Sequence, residues 1–179
     1  MCSKTHIEYL TYIVKTLEDE GFTVWQFKID CADYGVPMHR KRLILVGLRS
    51  GTFTPPPTLP HITVRQAIAQ LGPPNGLNGH TLHSRTPRHY PGHTGSTLDR
   101  PSKSLVSGCN GVGGGNCCLA LDDGSLRYYT PREAATLMTL PSTFQLPATF
   151  TPAMKMIGNA APVEMIRRFA EQLVPHLKT

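Results

Sequence analysis

Two apolar segments near the start of the sequence constrain the fold more than any other feature. Residues 22–29 alternate, with Trp25, Phe27 and Ile29 on one side, and this alternation predicts a half-buried strand. Residues 43–46 are continuously apolar, which is typical of a strand that is buried on both faces. Because a two-stranded piece is not stable alone, these strands must pack on something larger.

Four other segments predict helices from the spacing of their apolar residues or from residues that favour helix ends. They cover residues 7–20, 63–71, 131–138 and about 162–176. The last of these places Met165, Ile166, Phe169 and Leu173 on its buried side. Residues 119–129 favour a hairpin that turns on Asp122-Asp123-Gly124.

Glycine and proline are abundant, with 16 residues of each among 179, and they predict long irregular segments rather than a helical bundle. The longest is the polar stretch 72–103, and a structureless segment of this length in a compact domain is usually functional. No apolar run approaches the ~20 residues needed to span a bilayer, which argues against a membrane protein. The net charge of +6 fits a polyanionic partner but does not by itself identify one.

The cysteines and the first residues bear on the compartment. Five cysteines, an odd number without a Cys-x-x-Cys spacing, do not predict a disulfide framework. The first eight residues lack the apolar core of a signal peptide. We therefore expect a reduced, cytoplasmic protein.

Three blocks of sequence carry the strongest functional signal. Residues 35–42 read Gly-Val-Pro-Met-His-Arg-Lys-Arg, residues 130–141 read Thr-Pro-Arg-Glu-Ala-Ala-Thr-Leu-Met-Thr-Leu-Pro, and residues 157–162 read Ile-Gly-Asn-Ala-Ala-Pro. In this order they resemble the DNA (cytosine-5)-methyltransferase family, whose first block is a Gly-Val-Pro-Gln-x-Arg-x-Arg loop leading into a strand. Arg100-Pro-Ser-Lys-Ser-Leu is similar to the family's Arg-Pro-Ser-x-Thr-Ile. The resemblance covers nearly the whole chain, and we expect a protein encoded by a prokaryote or a phage.

The departures from the family pattern matter equally. Met38 stands in place of a glutamine, Thr136 and Met138 replace an arginine and a glutamine, and Ala161 replaces a valine. The sequence contains no Pro-Cys, no Glu-Asn-Val and no Phe-x-Gly-x-Gly near its start. In the family these motifs supply the thiolate that attacks cytosine, the carboxylate that protonates it and the cofactor loop. The resemblance therefore implies the C-terminal half of such an enzyme, without its nucleophile.

The resemblance also implies roles for individual residues. Arg42 would contact the flipped cytosine, while Arg40 would orient the loop and nearby acidic groups; both are candidate catalytic residues, and their spacing sends both side chains to one side. Without the family context, two solvated arginines at a strand end are the simpler interpretation. Gly158, Asn159 and Ala160 would close one side of the S-adenosylmethionine pocket, and the alternative there is an ordinary Gly-Asn turn before the last helix.

A second set of residues is expected to face DNA. Arginine and lysine side chains in an irregular region suit contacts to phosphates and base edges. The candidates are Arg85, Arg88, Arg100, Lys103, Asn110 and Arg132. We expect Arg132, with Glu133, to brace the recognition lobe rather than touch the reacting base. His80-x-x-His83 and His89-x-x-x-His93, with Cys117 and Cys118, could form a zinc site, but such spacings are common by chance in loops, and we predict no metal.

The expected fold is α/β. Residues 1–71 would form the last two strands of a Rossmann-like methyltransferase sheet with flanking helices, residues 72–150 a small, mostly irregular or β target-recognition lobe, and residues 151–179 a C-terminal helix returning to the sheet. We expect the chain to act on double-stranded DNA with S-adenosylmethionine, joined to an N-terminal subunit that carries the nucleophile. The alternatives are a non-catalytic DNA-binding or regulatory module and a decayed fragment of such an enzyme.

Overall fold

The chain opens with a helix and two strands, as the sequence predicts, and the two strands pair antiparallel. The computed structural model describes residues 4–88, 94–107 and 115–177. Helix α1 spans Lys4–Asp19, strand β1 Thr23–Asp30 and strand β2 Lys41–Leu48. The two strands pair in register along their whole length, from Thr23 opposite Leu48 to Asp30 opposite Lys41. Gly21 has a positive φ of 83°, so the chain turns sharply from helix to strand there.

One face of this sheet packs on aromatic rings from later in the chain. Phe27 lies 5.6 Å from Phe53 and 6.0 Å from Phe169, measured between ring centroids. Phe53 and Phe169 in turn stack at 6.3 Å. Phe169 belongs to the last helix, here α5, which spans Val163–Leu173. The alternation of β1 therefore serves its predicted purpose, which is to present one apolar face to the core.

Helix α5 departs from its predicted packing at one position. Met165 and Phe169 are buried, at 1% and 5% exposure, and Leu173 packs partly against the same core. Ile166, predicted on the buried side, is 45% exposed, so that prediction was wrong. Ile166 lies one residue beyond Met165, about 100° further around the helix, which turns it away from the sheet.

A second, small sheet follows the irregular region. Strand β3 spans Ser96–Thr97 and pairs in parallel with β4, which spans Cys118–Ala120. Strand β4 pairs antiparallel with β5, which spans Leu126–Tyr128, and this pair is the hairpin that the sequence predicts. Two-residue strand β3 was not predicted, because so short a segment carries no alternation.

Three more helices complete the described fold. Helix α2 spans Val64–Ile68 and continues as a 3₁₀ turn to Leu71, whereas α3 spans Pro131–Leu137. Each begins with a capping box, formed by Thr63 with Gln66 and by Thr130 with Glu133. Helix α4, Phe150–Asn159, was not predicted. Its end contains Gly158-Asn159, which we interpreted as a turn, whereas both residues lie in the last helical turn.

The three predicted segments of the chain share one core. Helix α3 lies against both α2 and α4, and buried residues from β1 through α5 form a single apolar cluster. The boundaries at 71/72 and 150/151 stay predictions. Among the described residues, no helix is both long enough and apolar enough to cross a bilayer.

Candidate functional site

The loop between β1 and β2 is shaped by a single carboxylate. Asp30 accepts hydrogen bonds from the amides of Ala32, at 3.2 Å, and Arg40, at 2.8 Å, and from Nδ1 of His39 at 2.9 Å. Burial raises the pKa of Asp30, but the hydrogen bonds from His39, Arg40 and Ala32 together lower it below its ordinary value of 3.8. The two ends of the Gly-Val-Pro loop are thereby held together at the start of β2.

Arg40 is the centre of the candidate site. Its side chain is buried, at 5% exposure, and burial, followed by the nearby charge of Arg42, lowers its pKa. Nη1 donates to the carbonyl of Leu105, and Nη2 donates to the carbonyls of Gly158 at 2.9 Å and Ala160 at 3.4 Å. These partners are carbonyl oxygens rather than the acidic groups expected from the sequence. We call Arg40 with Leu105, Gly158 and Ala160 the Arg40 joint.

Gly158 allows the chain to approach this joint closely. A Cβ at position 158 would lie 2.4 Å from the amide nitrogen of Ser107 and 2.5 Å from the carbonyl carbon of Val106. Real Cβ atoms essentially never come so near to backbone, so any side chain here would push residues 106–107 away. The glycine is therefore required by packing. Asn159, the next residue, is exposed at the end of α4, and Ala160 is half-buried.

Arg42 follows Arg40 by two residues, and its charge is close enough to lower the pKa of Arg40. Arg42 is half-buried, and its Nη1 donates to the carbonyl of Lys41 at 2.7 Å. Burial raises the pKa of the neighbouring Cys31 thiol to about 11, although the cations of Arg42 and Arg40 both oppose this. Cys31 is fully buried and stays protonated near neutral pH, so it is not an activated nucleophile.

The departure at position 38 has a structural role. Met38 is fully buried, and its Sδ accepts a hydrogen bond from the amide of Leu105 at 3.2 Å. Its neighbour His39 donates its amide to the carbonyl of Ser102 at 2.9 Å. Residues 102–105 therefore lie alongside the Gly-Val-Pro loop. Sequence reasoning did not assign Ser102 or Leu105 to the site, and the Arg-Pro-Ser resemblance was the one signal that pointed to this segment.

The residues predicted to face DNA separate into two groups. Arg85, Arg88, Arg100 and Lys103 are exposed, and Nζ of Lys103 donates to Oγ1 of Thr94 at 3.0 Å. Asn110 lies outside the described residues.

Arg132 is buried rather than exposed. It is 4% exposed and donates to the carbonyls of Asn78, Pro141 and Phe144 at 3.2, 3.2 and 2.6 Å. Its inclusion among the DNA-facing residues is therefore corrected, because its guanidinium is buried in its own domain. The predicted bracing role agrees with these contacts. Glu133 is also buried and accepts two hydrogen bonds from Arg127, at 2.7 and 2.6 Å.

In the described part of the chain, His80 and His83 contact other side chains of the protein. Buried His80 bonds Oγ1 of Thr130 at 2.9 Å, and the His83 ring lies 4.4 Å from that of Phe150. Cys117 is disulfide-bonded, which corrects the expectation that all cysteines are reduced, and Cys118 is buried with a pKa raised to about 11 by burial. Within residues 4–88, 94–107 and 115–177, no three His, Cys, Asp or Glu side chains are grouped to hold a metal. His89 and His93 lie outside these ranges.

Comparisons with known proteins agree with the blocks identified above. The family model described as C-5 cytosine-specific DNA methylase matches residues 1–71 and 64–175. The chain is 27% identical to the Type II methylase M.HgiDII of Herpetosiphon aurantiacus, over 93% of this chain and 59% of the relative. It is 28% identical to the Type II methyltransferase M.SsoII of Shigella sonnei, over 92% of this chain and 48% of the relative.

A solved structure shows the same fold. The Entamoeba histolytica methyltransferase EhMeth superimposes with a TM-score of 0.70 at 14% identity, over 95% of this chain and 59% of that protein. A similarity at this identity supports the Rossmann-like methyltransferase architecture alone. The chain spans about half the length of the curated relatives that it matches.

Proposed function

The chain belongs to the C-5 cytosine-specific DNA methylase family, and on that basis we propose that it is the C-terminal, target-recognising half of a DNA (cytosine-5)-methyltransferase. The other half would carry the Pro-Cys, Glu-Asn-Val and Phe-x-Gly-x-Gly motifs that this sequence lacks. Together they would transfer a methyl group from S-adenosylmethionine to carbon 5 of cytosine in double-stranded DNA.

The Arg40 joint is the observation that carries this proposal. One buried guanidinium connects the Gly-Val-Pro loop with Leu105 and with the Gly-Asn-Ala segment at 158–160. These contacts bring together two of the three blocks of the family resemblance and the Arg100-Pro-Ser-Lys-Ser-Leu segment. A chain that had only decayed from an enzyme would be under no constraint to keep a buried cation bonded to carbonyls from both other segments.

Arg42 is the residue proposed to face the cytosine. When a thiolate of the partner half adds to carbon 6, negative charge builds on the ring and its exocyclic oxygen. A fixed cation near that oxygen stabilises the transition state more than the ground state. Arg42 is half-buried and its Nη1 donates to the carbonyl of Lys41, so its charge is partly shielded from water.

Of the three residues proposed to border the cofactor, Asn159 and Ala160 fit that role better than Gly158. Asn159 is exposed at the end of α4, where its amide can donate to or accept from a polar ligand. Gly158 has its open face filled by residues 106–107 and its carbonyl bonded to Arg40, so it supports the segment rather than lining a pocket. Asn159 and Ala160 are thus the residues that would hold S-adenosylmethionine, which supplies the methyl group.

Exposed apolar side chains and open strand edges of this chain support a large apolar interface with the other half. Residues 6–19 of α1 include no buried residue, and Ile7, Tyr9 and Tyr12 are 54%, 64% and 66% exposed. On α5, Val163 and Ile166 are 39% and 45% exposed. Strands β1 and β2 pair only with each other in the described residues, which leaves edges open. We propose a heterodimer whose core-like interface exceeds ~2,000 Å².

Transfer of labelled methyl from S-adenosylmethionine to DNA tests the proposal. The chain alone, the candidate N-terminal half alone and the mixture would be compared. We expect transfer in the mixture and none with this chain alone. Silence in all three, with both proteins folded, would overturn the proposal in favour of a DNA-binding module or a relic. Transfer by the chain alone would contradict the need for a partner.

A further inference from the structure

Arg65 lies between two carboxylates from different parts of the chain. From the first turn of α2, it donates to Asp99 through Nε at 2.7 Å and Nη2 at 3.2 Å. It also donates to Asp122 through Nη1 at 3.0 Å and Nη2 at 2.8 Å. Asp99 immediately precedes the exposed Arg100, and Asp122 lies in the turn between β4 and β5. We call Arg65, Asp99 and Asp122 the Arg65 latch.

Backbone hydrogen bonds hold one side of the latch. The amide of Val64 donates to the carbonyl of Arg100 at 3.0 Å, and the amide of Arg65 donates to the carbonyl of Leu98 at 2.8 Å. Residues 98–100 are therefore fixed against α2 by main-chain bonds as well. The pairing of β3 with β4 already joins this segment to the hairpin, and the Arg65 guanidinium adds a side-chain connection to the β4–β5 turn.

The geometry distinguishes this cluster from ordinary surface ion pairs. Exposed pairs usually contribute little to stability, but bidentate arginine–carboxylate pairs and networks of several charges are the exceptions. Here one planar guanidinium faces two carboxylates, with two hydrogen bonds to each. A lysine ammonium has the same charge but not the planar fork that spans both carboxylates.

We propose that Arg65 is a positioning residue for DNA recognition. It holds the β4–β5 turn and the 98–103 segment as one surface, so that Arg100 and Lys103 keep a fixed place relative to the hairpin. This role rests on the proposed function, because those segments belong to the proposed recognition lobe. The latch itself is defined by the contacts of this chain alone.

Arg65→Lys tests the latch, and the chain offers a matched control. Arg167 on α5 also lies between two carboxylates, Glu164 and Glu171, but within a single helix. Hydrogen exchange of the full chain would be measured by mass spectrometry for Arg65→Lys and Arg167→Lys. We expect residues 121–125 to exchange roughly two- to tenfold faster in Arg65→Lys and unchanged in Arg167→Lys. Equal exchange at 121–125 in wild type and Arg65→Lys would overturn the latch.

The sites methylated by the assembled enzyme test the recognition role. Bisulfite sequencing of plasmid DNA would be compared for wild type, Arg65→Lys and Arg167→Lys. We expect Arg65→Lys to spread methylation onto sequences that the wild type leaves unmodified, while the control keeps the wild-type pattern. An unchanged pattern alongside faster exchange would show that the latch is structural only, which overturns the recognition role. Absence of methylation by the wild-type mixture would overturn the proposed function and the recognition role together, whereas hydrogen exchange would still decide the latch.

Discussion

Nη2 of Arg40 donates to the carbonyl oxygen of Gly158 across 2.9 Å, although 118 positions separate the two residues in the chain. This bond joins the entrance of β2 to the end of α4, and the same guanidinium also reaches Leu105. The position of Asn159, one residue beyond Gly158, is thereby coupled to that of Arg42, two residues beyond Arg40.

Replacing Arg40 with alanine should destabilise the fold. The change leaves the carbonyls of Leu105 and Gly158 buried without their donor, which costs about 2–4 kcal/mol in free energy of unfolding. Urea unfolding followed by circular dichroism would measure it. Arg88→Ala, which removes an exposed arginine, is the control and should change the free energy by less than about 0.5 kcal/mol. Equal effects of the two changes would contradict the role of the joint.

Gly158→Ala should also destabilise the protein. The added methyl group would lie 2.4 Å from the backbone of Ser107, which a rotamer change cannot relieve, so we expect a loss of about 1–3 kcal/mol. Gly47→Ala is the matched control, because a Cβ there would meet the Phe22 ring at an ordinary 3.4 Å. Thermal unfolding of both variants would show a lower Tm for Gly158→Ala alone; a normal Tm there would refute the close approach of residues 106–107.

Acid should weaken the hydrogen bonds that Asp30 accepts from Ala32, His39 and Arg40. The pKa of Asp30 is lowered in the folded state, so its contribution to stability is present above its ordinary value of 3.8 and is lost as the pH falls through the lower folded value. Asp30→Asn should therefore be less stable than wild type at pH 6, and the difference should narrow below about pH 4. Urea unfolding at a series of pH values measures this. A difference that is constant with pH would exclude the charge as its source.

Arg100 and Arg132 should affect DNA binding in different ways. Arg100→Ala removes an exposed cation, so the slope of log affinity against log salt should fall by about 0.9 if it contacts one phosphate. Arg132→Ala should leave that slope unchanged and lower the urea midpoint, since its guanidinium bonds three carbonyls. Fluorescence anisotropy of a labelled duplex between 50 and 200 mM salt provides the slopes. A reduced slope for Arg132→Ala would reverse our correction.

Arg42→Ala should lower the kcat of methyl transfer by the assembled enzyme more than about 100-fold. The heterodimer should still form. Labelled-methyl transfer and size-exclusion chromatography measure the two properties. Arg49→Ala, which removes an exposed arginine just past the other end of β2, is the control and should retain transfer. Loss of the heterodimer in Arg42→Ala would instead identify this arginine as structural.

Sequence patterns were sufficient where local physics decides the structure. The alternation at Trp25, Phe27 and Ile29 predicted β1, and Thr63 and Pro131 marked helix starts that the structure confirms. Helix α4 was missed because Gly158-Asn159 favours a turn when considered alone. Its last turn makes tertiary contacts that no local pattern indicates, namely the packing of Gly158 on residues 106–107 and the bond from Arg40.

The candidate site could be predicted only in part from the sequence, for the same reason. Arg40 and Gly158 were singled out by resemblance, but nothing local indicates that they touch. The sequence also contains no indication that Arg132 is buried. Its acceptors are the carbonyls of Asn78, Pro141 and Phe144, and a residue of any type could supply a carbonyl. Sequence patterns report side-chain chemistry, whereas these contacts depend on where the backbone passes.

The Arg40 joint also sets an order of events during synthesis. Strands β1 and β2 are joined by only ten residues, so closing their loop costs little chain entropy, although the pair is not stable alone. The bond from Arg40 to Gly158 has to wait until α4 has left the ribosome. Until then the Arg40 side chain lacks its partners at Gly158 and Ala160, and the candidate site is incomplete.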